Sequence, residues 1–576
     1  MKSMPPLIVN QTNCRSYGIH GSYDARELVV CGSFVSGDLQ PGLLANIATR
    51  KSAGDGHRRG VVLIVVLVLV MMVALAGFGF LAAMSTEYEA ARMAGSMRQA
   101  KQTMASAEST LLWFAGLSDR DRTIMGGWYH NPALFRAHVV EPLKEMGTGD
   151  SASPFVPGSV AEEPANAGVA DARWRFSIES LDRTPEQTRV KRFGLQNESA
   201  RVNLASILRW EQASPGQGRA SLMQLPGMTE PIADAILDWL DADEQTREFG
   251  AETEYYQTLN RPYRAANTVP KDLTELLYVK GVTRRLLMGT PQTSGGLNSQ
   301  LPQAAESSLD ANGDLASNPA TAGAGWVEFM TVHSAERDLN RSGQRRVFLN
   351  ADSLSDLESQ LTSLTAALPE ELVRYILLVR VYGLTISAEA STGVEPSTAP
   401  FASSMLPAFR ISSLADLIDS TVQVTSGSGT VVVQSPLQSA GPEFAALAAS
   451  LCDLTTTHPE AVIYGRVNLR LASETVLRMI PGLTPELVTQ LVTQRDTLEA
   501  SQADQTVWLL SGRVLDLPTF RRVFPEVTTG GDVFQSEILI YRTIGGPTLR
   551  GNLILDAASN PPRRVHWVDL TDSGRP

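Results

Sequence analysis

The densest run of chemistry-bearing side chains lies between residues 234 and 254. Eight acids (Asp234, Asp238, Asp241, Asp243, Glu244, Glu248, Glu252 and Glu254) meet Arg247 alone there, a local balance of −7. Asp241 and Asp243 stand where an amphipathic helix should end. A loop returning Glu248, Glu252 or Glu254 to that end would gather the roughly six to eight oxygens that calcium takes. The plain alternative is a solvated acidic face whose repulsion is relieved by Arg247, Arg261 and Arg264, and no fixed ligand spacing chooses between the two. Asp310, Asn312 and Asp314 open like an EF-hand loop, but Leu315 replaces its glycine and Thr321 its closing glutamate. They fall in a stretch rich in Ser, Gly, Ala and Asn, residues 291–325, whose composition predicts a disordered linker.

Catalytic patterns are missing. The seven histidines are scattered, with no His-Glu-x-x-His pair, Cys-x-x-Cys knot, Gly-x-Ser-x-Gly elbow or Walker loop. Gly77-Phe-Gly-Phe-Leu-Ala82 imitates half of a dinucleotide fingerprint but sits inside an apolar run, where close helix packing explains it better. The reading is of a chain that is not an enzyme. A net charge of −12 and a pI near 5.3 argue against general attraction to phosphate backbones or anionic lipid.

The acids must be held by the elements around them, and those elements recur. Arg201-Val-Asn-Leu204 leads to Leu225-Pro-Gly-Met-Thr229 and an amphipathic helix over 231–240; Arg466-Val-Asn-Leu469 leads to Ile480-Pro-Gly-Leu-Thr484 and a helix over 485–495. Val347-Phe-Leu-Asn350, followed by Leu368-Pro-Glu-Glu-Leu372 and residues 373–380, reads as a decayed third copy. This is the pattern of a helix-hairpin-helix or SAM-like module. DNA-binding hairpins present Gly-hydrophobic-Gly and then a cation to phosphate. Gly227-Met-Thr-Glu230 and Gly482-Leu-Thr-Pro485 lack both, and only Gly281-Val-Thr-Arg-Arg285 carries cations, so no nucleic-acid partner is expected.

Strand signals surround the modules. Residues 174–181 alternate apolar and polar, 325–333 read as a strand, 421–433 as a hairpin, and 536–542, 549–555 and 565–570 as strands. Short helices are expected over 132–139 and 140–146, then a loose stretch over 147–168. Strands after helices predict an α+β body.

One stretch is long enough to leave water. After His57-Arg58-Arg59-Gly60 come twenty-four uncharged residues, 61–84, about 36 Å of helix and enough to cross a bilayer core. Arg58 and Arg59 precede it while Glu87 and Glu89 follow, which places residues 1–59 in the cytoplasm. Ala91, Ala94, Met97, Met104, Ala107, Leu111 and Phe114 continue the helical period beyond the lipid. The 516 residues after Gly60 suggest about three domains. Residues 1–56 show no clear period and read as an extended leader or a mis-assigned start. Cys14 and Cys31 lie within them, leaving Cys452 without a disulfide partner.

The Arg-Arg-Gly step into a half-apolar helix resembles the N-terminus of type IV pilins and type II secretion pseudopilins. Ala235-Ile-Leu-Asp-Trp-Leu-Asp-Ala-Asp243, Glu248-Phe-Gly-Ala-Glu-Thr-Glu-Tyr-Tyr256, Pro262-Tyr-Arg264 and Leu273-Thr-Glu-Leu-Leu-Tyr-Val-Lys-Gly-Val-Thr283 closely resemble the core of the K-type minor pseudopilins. The resemblance covers residues 60–289. It implies cleavage by prepilin peptidase between Gly60 and Val61, methylation of the new amine, and a single-pass anchor in the inner membrane with a periplasmic body. Further implications are a place at the filament tip, partnership with the other minor pseudopilins and the major pseudopilin, and calcium at the acidic cluster (Asp241, Asp243, Glu248, Glu252, Glu254). Val65 stands where most pseudopilins carry glutamate, as is usual for the K-type. A membrane-anchored DNA receptor of a competence-type system is the alternative.

The expected fold is therefore a long N-terminal transmembrane and amphipathic helix with a β-strand scaffold carrying inserted helix-hairpin-helix (SAM-like) modules. In chain order the regions are a leader (1–60), the pilin helix (61–115, spanning at 61–84), a pilin-like strand and loop region (116–196) and a first helical module (197–290). The linker (291–325), a second module (326–383), a strand-containing insertion (384–464), a third module (465–515) and C-terminal strands (516–576) follow.

Overall fold

The computed structural model describes residues 59–140, 173–183, 189–289, 324–385, 394–402, 404–426, 429–543 and 545–573. The chain divides into two units, Met1–Ala83 and Met84–Pro576. The described part of the first is helical, the start of α1 (Arg59–Gly116). Its large apolar side chains between Val62 and Met84 are 48% to 72% exposed, and the helix is long and apolar enough to cross a membrane.

In the second unit α1 has a core to meet. Ala100, Ala107, Leu111 and Phe114 are buried at three- to seven-residue steps, with Met97 and Met104 partly buried beside them. Ala91 and Ala94 continue the same stripe but remain exposed, because sheet packing begins only at Met97. Phe114 meets Phe135 edge to face at 5.3 Å.

The packing surface is a seven-stranded antiparallel sheet. Its strands are β1 (His138–Val139), β2 (Trp174–Arg183), β3 (Arg189–Phe193), β4 (Gln196–Asn197), β5 (Val533–Arg542), β6 (Leu549–Asp556) and β7 (Arg563–Asp569). They run in the order β1-β2-β5-β6-β7, with β3 beside β2 and β4 beside β5. Alternation puts Phe176 and Ile178 of β2, and Phe534, Ile538 and Ile540 of β5, into one core with Leu111 and Phe114. Ile538 pairs with Ile178. Gly551 of β6 is required by its neighbour, since a Cβ there would meet the Trp567 ring at 2.1 Å.

Everything between β4 and β5 is an insertion containing three helical parts, each opened and closed by a two-residue parallel bridge. Val202–Asn203 pairs with Met330–Thr331, Val347–Phe348 with Thr455–Thr456, and Val467–Asn468 with Val527–Thr528. The Leu349 amide donates to the Thr456 carbonyl and the Leu469 amide to that of Thr528, both at 2.9 Å. Beside the first bridge, Glu198 accepts from Arg201 at 2.9 Å and from the Thr331 hydroxyl; beside the third, Glu336 accepts from Arg466 at 2.8 Å and from the Thr528 hydroxyl. One hydrophobic core runs through all three parts, from Val202 to Val527.

Two local expectations are corrected. The helix expected over 132–139 stops at Phe135: Asn131 caps it, Ala137 turns at φ 52°, and His138 enters the sheet opposite Phe176. The strand expected over 325–333 is a 3-10 turn, Trp326–Glu328, followed by two bridged residues. Trp326 is fully buried and donates its indole N–H to the Pro226 carbonyl at 2.9 Å. The expected helix over 140–146, the EF-hand-like residues and nearly all of the linker lie outside the described residues. Strands at 174–181, 536–542, 549–555 and 565–570 and the hairpin at 421–433 are present, so the body is α+β.

Candidate metal centre

The acidic stretch is built on α2 (Leu204–Ala213), α3 (Gln217–Leu222), α4 (Glu230–Leu240) and α5 (Thr253–Gln257). Along α4, Asp234, Asp238 and Asp241 follow one another at steps of four and three, which puts them on one face, and all three are buried. Buried carboxylates need partners. Arg219 forks onto Asp234, with Nε and Nη2 each 2.7 Å from a carboxylate oxygen. Arg247 returns from the loop to donate through Nη1 at 2.6 Å to both Asp238 and Asp241.

That loop is shaped to let Asp238 in. The Ala251 amide donates to Asp238 Oδ2 at 2.8 Å, and a Cβ on Gly250 would lie 1.9 Å from the same oxygen. Lys280 Nζ donates to the Phe249 and Gly250 carbonyls, at 3.2 and 3.0 Å. Asn267, at φ 47°, donates from Nδ2 to the Asp243 carbonyl at 2.8 Å.

The loop delivers Glu252 to the end of α4. Ligand oxygens of Asp241, Asp243 and Glu252 lie within 4.8 Å of one another, the one such group among the described residues. Glu252 is 2% exposed, and neither of its carboxylate oxygens has a hydrogen-bond partner; Oδ1 of Asp241 is also unpartnered. Burial, then the charges of Asp238, Asp241, Glu244 and Asp243, pushes the Glu252 carboxyl up to about 8. Burial likewise raises Asp238 and Asp241 against the opposing pull of Arg247.

Three converging carboxylates, one of them buried with both oxygens unsatisfied, form an arrangement that a proton or a hard cation completes. An all-oxygen set suits calcium or magnesium rather than zinc. Of the five residues singled out from sequence, Asp241, Asp243 and Glu252 are brought together, while Glu248 and Glu254 are exposed and outside the group. Arg247 pairs with Asp238 and Asp241; Arg261 and Arg264 make no ion pair with the cluster. Asp238, Gly250 and Asn267 were not identified as parts of the centre, and nothing in their spacing marks them.

An apolar helix long enough to cross a membrane, a strand scaffold and an acid-lined helical insertion together make an α+β protein. Residues 200–288 match the family described as "Type II secretion system (T2SS), protein K". That segment is thus similar to the K-type minor pseudopilins. It is 31% identical over 127 residues to type II secretion system protein K of Pectobacterium carotovorum subsp. carotovorum, covering 21% of this chain and 33% of that one. It is 35% identical over 96 residues to the protein of that name from Pseudomonas aeruginosa, covering 16% and 29%. The matches thus span about a third of the relatives' length. Among solved structures, the chain is similar to one in the GspK-GspI-GspJ complex of the enterotoxigenic Escherichia coli type 2 secretion system. The TM-score is 0.33 and the identity 10%, covering 83% of this chain and 98% of that one, a likeness too distant to transfer geometry.

Proposed function

We propose that the chain is a non-catalytic minor pseudopilin at the tip of a type II secretion pseudopilus, where it helps initiate the filament and export folded proteins. The observation that carries this reading is the family match on residues 200–288 in a chain that also has, among the described residues, one membrane-length helix. In this reading prepilin peptidase cuts between Gly60 and Val61, α1 packs among companion minor pseudopilins and the major pseudopilin in the inner membrane, and the body occupies the periplasm. Calcium binds Asp241, Asp243 and Glu252 and holds the loop between α4 and α5 closed. Mass spectrometry of the chain isolated from membranes tests the reading. A mature terminus at N-methylated Val61 is expected, and an intact leader overturns it.

The DNA-receptor alternative draws support from Arg284 and Arg285, which are exposed after the Gly281 turn. It is weakened where that turn's Lys280 is engaged with backbone carbonyls and where Glu230 opens α4 behind the Gly227 turn.

A further inference from the structure

Away from the carboxylate cluster, three side chains from separate segments converge where β7 meets the first helical insertion. His566 lies on β7, and its Nε2 is 3.2 Å from Oδ2 of Asp272. Asp272 caps the 3-10 turn Leu273–Tyr278, its Oδ1 accepting the Thr274 amide at 2.6 Å, so the carboxylate is held with Oδ2 toward the imidazole. His333 follows the closing residues Met330–Thr331, with its amide donated to Thr331 Oγ1 at 3.1 Å. Its ring centroid is 6.2 Å from that of His566, the planes inclined by 34°.

Three carboxylates exert their charge on His333: Glu198, Asp272 and Asp556. Glu198 is occupied by Arg201 and Thr331, and Asp556 by Ala558, Ser559 and Arg563. Asp272 alone keeps an oxygen directed at an imidazole.

Two of the three already have the spacing of ligands on one ion. Two donors about 2.0–2.1 Å from a tetrahedral zinc lie about 3.3 Å apart, and Nε2 of His566 and Oδ2 of Asp272 are 3.2 Å apart. Two imidazoles on the same ion have ring centroids about 5–6 Å apart. At 6.2 Å the His333 ring stands just outside that range and its ligand atom is not yet within 4.8 Å of both others, so it joins by a rotation of its side chain. Two imidazoles and a carboxylate form the donor set of a borderline divalent ion, unlike the all-oxygen set at Glu252. The His566 and Asp272 side chains are each 27% exposed, which leaves an open side for a water ligand. We propose that Asp272, His333 and His566 bind a zinc-class divalent cation that ties the outer strand of the sheet to the first helical insertion. On binding, the metal takes the place of the direct contact between His566 and Asp272.

The test uses the untagged full-length chain in detergent, stripped with chelator, held in excess calcium and titrated with zinc chloride or cobalt chloride alone. One zinc per chain and a visible cobalt absorption band are expected. His566→Ala and His333→Ala should each remove the band and weaken zinc by at least about tenfold, and Asp272→Asn by about tenfold or more. Asp243→Asn should change neither. Should the variants misfold, the unmodified chain still decides, because zinc should protect His333 and His566 from diethyl pyrocarbonate, read by peptide mass spectrometry. Lack of zinc binding, binding undiminished in both histidine variants, or lack of protection overturns the proposal and leaves the His566–Asp272 contact a hydrogen bond only.

Discussion

Glu252 sets burial against ionisation more severely than its neighbours in the acidic stretch. Its carboxyl is raised to about 8 from an ordinary value of 4.5, so the metal-free fold favours the protonated form. The associated stability is fully present below pH 4.5 and is lost as pH rises through about 8. Metal-free protein should therefore melt progressively lower between those values, and calcium should restore the melting temperature most near pH 8, releasing a proton as it binds. Glu252→Gln should flatten the pH dependence and abolish the calcium shift; thermal scans with and without chelator read both. Gly250→Ala drives a methyl into Asp238 Oδ2 and should cost about 1–3 kcal/mol by denaturant titration. Burial pushes the Cys452 thiol up to about 12, so iodoacetamide at pH 8 should label it only after unfolding. The eight acids were plain in the sequence. Which of them turns inward was not, because that depends on the path Arg247 and Gly250 impose on the loop.

Elements with a sustained period were legible. The alternation of residues 536–540 and the three- to four-residue steps at Ala107, Leu111 and Phe114 point into one core. Phe114→Ala should thus cost about 3–5 kcal/mol, measured by chemical unfolding, whereas Ala91→Ser on the exposed part of the same stripe should cost little. Shorter elements escaped. A two-residue bridge has no period, so the closing threonines Thr331, Thr456 and Thr528 were invisible although the opening Arg-Val-Asn-Leu was read twice. Residues 325–333 alternate like a strand, but Trp326 has a long-range partner, the Pro226 carbonyl, which overrides the local pattern.

At the scale of the whole molecule, the three inserted parts share one core. Tryptophan fluorescence should therefore report them unfolding together, and Leu378→Ala in the second should lower the transition of all three rather than detach one. Two transitions, one insensitive to Leu378→Ala, would contradict a shared core. The recurrence of Arg-Val-Asn-Leu announced repeated parts, but not that their apolar faces would merge, because docking between repeats leaves no spacing to read.

Ile178 and Ile538 are partners across adjacent strands although 360 positions separate them. A chain delivered from its N-terminus presents β2 long before β5, so the helical insertions have time to fold while one sheet edge waits bare. Closing that gap has to wait until β5 has been delivered. A chain cut short before β5 would keep a sticky, unfinished edge, open to pairing with another chain.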